Sequence, residues 1–158
     1  MKILCVCLGN ICRSPTAEAV LRKLADTEAP GLGIQVDSAG TSNYHPGAAP
    51  DARSQAVARR RGYDLSPLRA RQVRASDFSE FDLVLAMDRN NLQDLVDIAP
   101  PQARGRIMLF MQFASGSPVL EVPDPYEGGP EGFERVLDMI EAASRGLLRQ
   151  LSSQKPAA

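Results

Sequence analysis

The chain has 158 residues, 44% of them hydrophobic, and a formal net charge of −1. That fits one compact domain with enough apolar side chain to bury a core without metals or disulfide staples. The near-neutral charge excludes a strong bulk attraction to nucleic acid or to an anionic membrane, and no apolar run approaches the length of a transmembrane helix.

Lys2–Cys7 is a short apolar run that suits a strand buried on both faces. Ser14-Pro15 then reads as an N-cap followed by proline at the first helical position, and Ala17, Val20, Leu21, Leu24 and Ala25 fall on one helical face. Pro30-Gly31 ends that unit, and residues 34–38 form a second short strand. Residues 50–61 read as a helix closed by Gly62, and 76–81 as a short helical turn. A third strand over 82–87 leads into a helix over 88–98, stopped by Pro100-Pro101. A fourth strand covers 106–110 and a long amphipathic helix 133–151, leaving 152–158 as a frayed tail to a single domain over 1–151. Strands alternating with helices predict an α/β fold: a flavodoxin-like, doubly wound, three-layer α/β/α domain on a four-stranded parallel sheet of order 2-1-3-4.

The three cysteines, Cys5, Cys7 and Cys12, are odd in number and clustered, unlike a secreted disulfide framework. With one lysine, a short apolar run and no small-residue cleavage site at the N-terminus, they point to reactive chemistry in a reducing compartment, and a cytoplasmic location is expected.

Ligands of open parallel sheets bind beyond the carboxyl ends of the strands. Here the first strand ends at Cys7 and the next helix opens at Ser14, so Leu8, Gly9, Asn10, Ile11, Cys12 and Arg13 lie between them. Gly9 and Asn10 tolerate the left-handed backbone that turns successive N–H groups towards one point. The helix dipole adds positive potential, and Arg13 offers a planar fork for two oxygens of a phosphate. The same field suits a thiolate at Cys7, and Ser14 can donate a hydrogen bond to the sulfur. Cys-x5-Arg alone recurs by chance; the plain alternative is a buried strand cysteine followed by a helix cap. The strand ending at the cysteine, the Gly-Asn pair and Arg-Ser-Pro opening the helix favour the phosphate site.

Cys7-Leu8-Gly9-Asn10-Ile11-Cys12-Arg13-Ser14-Pro15 resembles the active-site loop of the low-molecular-weight protein tyrosine phosphatases. Val36-Asp37-Ser38-Ala39-Gly40-Thr41, the third strand up to Asp88, and Asp124-Pro125-Tyr126 resemble further segments of that family, in family order over nearly the whole chain. The resemblance implies that Cys7 attacks phosphorus, that Asp124 protonates the leaving phenol and later activates water, and that Arg13 with the loop N–H groups holds the phosphoryl oxygens. Asn10, Ser14 and Ser38 would brace the loop, Tyr44 and Tyr126 would wall the substrate ring, and Cys12 would either form a reversible disulfide with Cys7 or pack under the loop. Cys5 is expected in the core. It implies no cofactor and no metal, a phosphotyrosine-containing protein or peptide as partner, inorganic phosphate as product, and a monomer or weak dimer. Two positions depart from the pattern. Leu68 stands where family members commonly carry a bracing histidine, and Glu127 where a second aromatic often follows Tyr126.

The single histidine, His45, reads as a loop residue, and without a carboxylate cluster it argues against a metal site. Arg59-Arg60-Arg61, with Arg69, Arg71 and Arg74, reads as a solvated face in preference to a patch for an acidic partner. Two rivals stand beside the phosphatase. A thiol-dependent arsenate reductase shares a similar anion loop but uses further cysteines downstream, and this chain has none after Cys12. A non-catalytic phosphate or redox sensor has no need of the acid Asp124.

Overall fold

The computed structural model describes residues 1–126 and 128–154. Nine regular elements follow in order: β1 (Lys2–Cys7), α1 (Arg13–Glu28), β2 (Gln35–Gly40), α2 (Ala52–Arg60), α3 (Asp77–Glu80), β3 (Leu83–Ala86), α4 (Arg89–Ile98), β4 (Ile107–Leu109) and α5 (Pro130–Gln154). The four strands pair in the order β2-β1-β3-β4, all parallel, so the expected order holds. Three 3₁₀ turns, Pro30–Leu32, Pro101–Arg106 and Phe110–Phe113, were not anticipated.

Side chains of a strand alternate between faces, and β1 feeds two separate cores. Ile3, Cys5 and Cys7 join residues of α1 and α5, among them Leu21, Leu137, Ile140 and Leu147. Leu4 and Val6 join Phe78, Phe81 and Leu95 on the opposite face. Burying each such side chain contributes about 1.5–3 kcal/mol. On the first face α5 comes close to the Phe110–Phe113 turn: a β-carbon on Gly146 would lie 1.7 Å from the Phe113 carbonyl oxygen, so only glycine fits.

Helix ends explain most of the shifted boundaries. Asp51 caps α2 through a bond from the Arg53 N–H, which puts Pro50 and Asp51 outside the helix. At the other end Gly62, at φ +87°, closes a Schellman motif: its N–H donates to the Arg59 carbonyl and that of Tyr63 to the Ala58 carbonyl, both at 3.0 Å. The expectation that Ser14 caps α1 is corrected. The helix begins at Arg13, the N-cap position is Cys12 with no side-chain cap bond, and the Ser14 hydroxyl is drawn instead to buried partners in the preceding loop. The tail is corrected in part: Ser152–Gln154 continue α5, and 155–158 lie outside the described residues.

Arg60 and Arg61 are paired across to α5: Arg60 with Glu134, and Arg61 with Glu134, Asp138 and Glu141. Arg71 is paired with Asp37 and Asp77. Three of the six arginines of the cluster, Arg60, Arg61 and Arg71, therefore knit the fold together. No helix among the described residues is long and apolar enough to cross a membrane.

Candidate active site

The parallel register brings the carboxyl ends of β1 and β2 side by side, with Cys7 opposite Gly40. The loop from Leu8 to Cys12 curls over that edge before α1 begins. Its turning point is Asn10, the one non-glycine residue at positive φ (57°) among those described. The buried Asn10 side chain satisfies all its obligations in one place. Its Nδ2 donates to Ser14 Oγ at 2.8 Å and to Ser38 Oγ at 3.0 Å, and its Oδ1 accepts from the Arg71 N–H at 3.0 Å. Ser38 passes the chain on, donating to Glu18 Oε1 at 2.6 Å. Gly40 supplies the room: a β-carbon there would stand 2.7 Å from the Leu8 carbonyl oxygen.

Around the Cys7 sulfur the loop gathers donors. The Asn10 N–H lies 3.3 Å from Sγ and the Ser14 hydroxyl 3.0 Å. Because Ser14 already accepts from Asn10, its single proton is left for the sulfur, or for the Ala39 carbonyl at 3.4 Å. Cys5 and Cys12 are different. Burial pushes the Cys12 thiol up to about 12, helped by Asp51 and opposed by a bond from Ser54, and burial drives Cys5 well above the ordinary thiol range. All three cysteines are free thiols.

Arg13 lies beside the loop with its side chain 3% exposed. Its Nη1 donates to Asp88 Oδ2 at 2.6 Å and to the Val122 carbonyl at 3.0 Å, and its Nη2 turns to Asp124 Oδ2 at 3.7 Å. Burial opposes the guanidinium charge, but Cys7, Asp88 and Asp124 outweigh it and raise the pKa of Arg13. Asp124 is 49% exposed and its Oδ1 accepts from the Tyr126 N–H at 3.0 Å, which fixes the turn it sits on. The Val122 N–H donates to the Met87 carbonyl at 2.8 Å, hanging this segment on the end of β3.

A cavity of about 350 Å³ opens over the loop. Cys7, Leu8, Gly9, Ile11, Cys12 and Arg13 form its floor, and Tyr44, His45, Asp124 and Tyr126 its sides. Tyr44 and Tyr126 are 70% and 46% exposed, so they stand as rims. The side chains of Asn10, Ser14 and Ser38 are buried, beneath the loop in this bond network. His45 is not free in solvent: its Cδ2 would meet a β-carbon on Gly9 at 3.1 Å. No group of three or more histidine, cysteine, aspartate or glutamate side chains poised for a metal occurs among the described residues.

The sequence reading missed three residues. Asp88 stood at the opening of the helix over 88–98 with no role given to its side chain, though an aspartate opening a helix is a cap signal, and here one oxygen caps α4 while the other binds Arg13. Glu18 is a nearly buried carboxylate on α1, with Arg22 one turn on as the visible clue. Arg71 contributes its backbone N–H, which sequence cannot show. Together Glu18 and Arg71 brace Asn10 and Ser38 where a histidine was expected to do so, while Leu68 packs against the apolar core. Glu127 lies outside the described residues.

Comparison with known proteins places this geometry. The family model "Low molecular weight phosphotyrosine protein phosphatase" matches residues 2–157. A low molecular weight protein-tyrosine-phosphatase of Streptomyces coelicolor is 47% identical over 154 residues, covering 94% of this chain and 92% of the relative. The crystal structure of a protein tyrosine phosphatase from Entamoeba histolytica, with Hepes in the active site, superposes with a TM-score of 0.93 at 43% identity, covering 99% of each chain. Vibrio vulnificus Wzb in complex with benzylphosphonate superposes with a TM-score of 0.83 at 34% identity, covering 94% of this chain and 97% of that one. With sheet order and whole-length match in agreement, the chain belongs to the low molecular weight phosphotyrosine protein phosphatase family of hydrolases.

Proposed function

We propose that the protein hydrolyses phosphotyrosine and small aryl phosphates through a phosphocysteine on Cys7. The observation that carries this reading is the convergence of the Cys7 sulfur, the Arg13 guanidinium and the Asp124 carboxylate on one cavity. In the first step Cys7 Sγ attacks phosphorus in line. The S–P bond forms, the P–O bond to the phenol breaks, and protonated Asp124 gives its proton to the departing oxygen. In the second step water attacks phosphorus, Asp124 takes the water proton, and the S–P bond breaks to release inorganic phosphate. General acid and base help of this kind is worth about 10²–10⁴-fold.

Arg13 and the loop N–H groups hold the non-bridging oxygens through both steps. Asp88 and the Val122 carbonyl occupy Nη1, so the guanidinium plane is fixed before substrate arrives and costs no reorganisation. Ser14, bonded to the sulfur, stabilises the thiolate that leaves in the second step. Tyr44 and Tyr126 flank the entrance, and an aromatic ring between them carries its phosphate to the floor, which a short phosphoserine would reach less well. The benzylphosphonate complex of the Vibrio relative supports an aryl group in such a cavity. A phosphoprotein substrate follows from the family.

Hydrolysis of p-nitrophenyl phosphate between about pH 5 and 7 tests the reading. Activity that disappears in Cys7→Ser and is inhibited by phosphate supports it. No turnover by reduced, folded protein contradicts it, and phosphate binding without turnover would make the loop a sensor.

A further inference from the structure

Between the Cys7 loop and the segment carrying Asp124 lies a side chain that the chemistry above does not use. Arg53, the second residue of α2, folds back on the residue before the helix. Its Nε donates to Asp51 Oδ1 at 3.0 Å and its Nη2 to Asp51 Oδ2 at 2.9 Å, a two-bond fork. The fork holds the Asp51 carboxyl below the usual carboxylate range, so the pair stays ionised in mild acid. Held in that plane, the guanidinium lies 5.4 Å from the centre of the Tyr126 ring and 4.6 Å from that of Phe133.

Both ends of this arrangement reach the site. The Asp51 N–H donates to the Ile11 carbonyl at 2.8 Å, and Ile11 belongs to the loop that forms the cavity floor. Tyr126 donates its own N–H to Asp124 Oδ1 and lines the cavity. Phe133 is buried in the first turns of α5, a fixed point against which the cation is pressed. A planar cation over an aromatic face is attracted by the ring quadrupole, and a lysine in its place would lose the fork that orients it.

We propose that Arg53 is a positioning residue that clamps the Asp124–Tyr126 turn to the phosphate loop, fixing the proton donor and one wall of the substrate slot at a set distance from Cys7. The inference rests on Asp124 being the proton donor, and the test separates the two. Without the clamp the turn keeps its local bonds and the approach of Asp124 to Arg13 but loses its tie through Asp51 to Ile11 of the loop. Bound phosphate, held by Arg13 and the loop, is unaffected; protonation of the leaving oxygen suffers. The loss then depends on how much protonation the leaving group needs.

Arg53→Ala and Arg53→Lys are compared with wild type on phenyl phosphate, whose phenolate is basic, and on p-nitrophenyl phosphate, whose phenolate is not. The α2 cap bond runs from the Arg53 backbone to Asp51 at 2.8 Å and does not need the side chain, so the helix persists. In Arg53→Ala, kcat/KM should fall about tenfold on phenyl phosphate and about twofold on p-nitrophenyl phosphate, a loss typical of a misplaced group. Inhibition by inorganic phosphate should be unchanged, and Arg53→Lys should recover part of the loss. Hydrogen exchange should quicken at the amides of Tyr126 and Gly128 and stay the same over the Cys7 loop. Equal losses on both substrates with weaker phosphate inhibition, or unchanged rates and exchange, would overturn the clamp. Should wild type prove inactive, exchange alone decides: quickened exchange keeps the clamp while the phosphatase reading fails, and unchanged exchange removes it.

Discussion

Arg13 and Asp88 are joined by a 2.6 Å bond, and the other oxygen of the same carboxylate accepts the Asn91 N–H at 2.7 Å to cap α4. One side chain thus anchors both the Arg13 guanidinium and the helix that follows β3. Asp88→Asn separates the two duties, because asparagine caps a helix about as well as aspartate but leaves the buried guanidinium without its counter-charge. The variant should lose about 2 kcal/mol of stability in urea titrations and weaken inhibition by inorganic phosphate about tenfold. Unchanged phosphate inhibition would mean that Asp88 does not set Arg13.

Asn10 ties three residues, Ser14, Ser38 and Arg71, together through one side-chain amide, so its removal should be felt beyond the loop. Asn10→Ala leaves Ser14, Ser38 and the Arg71 N–H short of partners and puts alanine at φ +57°. A loss of about 3 kcal/mol is expected from the unmet bonds and the left-handed backbone together. Ser38→Ala should cost less, about 1 kcal/mol, since Asn10 keeps its other bonds. Thermal unfolding of the two variants measures the order; a smaller loss for Asn10→Ala contradicts the network.

Gly40 tests the shape of the loop without touching its chemistry. A β-carbon there meets backbone, the Leu8 oxygen at 2.7 Å and the Asn10 nitrogen at 3.2 Å, so the loop must shift. Gly40→Ala should lower kcat/KM by about a hundredfold, because displacing the groups proposed to hold phosphate forfeits most of their value. Gly105→Ala, where nothing lies within 4 Å of the new atom, serves as the control and should leave the kinetics unchanged.

Cys12 sets an alkaline limit. Its pKa in the fold, pushed up to about 12, stands above that of the unfolded thiol. A raised value means that the neutral form is favoured by folding, so its contribution is present in full below about pH 8.5 and is lost as pH rises towards the folded value. Cys12→Ser lacks this titration. The stability of wild type relative to Cys12→Ser should therefore decline between pH 8 and pH 10, read as urea midpoints, with about equal change elsewhere. Tyr63, also raised to about 12, titrates in both proteins and cancels. At neutral pH iodoacetamide should label Cys7 and spare Cys5 and Cys12.

How much of this was legible beforehand follows from which interactions are local. The strand-loop-helix from Lys2 to Glu28 announced itself because turn chemistry, apolar pattern and the Cys7–Arg13 spacing are neighbours in sequence. So did the sheet order, once strands and helices alternated. Ser14 was misread as a cap because its type fits that job, and only the buried Asn10 side chain explains why it turns away. Asp88, Glu18 and Arg53 act across the fold, on Arg13, Ser38 and Tyr126, where no spacing rule connects them. The Arg71 contribution is a backbone N–H and has no side-chain signature at all.

The central claim is that phosphorus passes through the Cys7 sulfur, and it can be observed directly. In Asp124→Ala, which removes the group proposed to activate water, p-nitrophenyl phosphate should be mixed rapidly, the reaction stopped in conditions that preserve thiophosphate esters, and the peptides weighed. The account predicts one phosphoryl group on the peptide containing Cys7, absent from Cys7→Ser. Turnover that continues in wild type while no phosphoryl group is ever trapped on that peptide, or its capture on another residue, would contradict it.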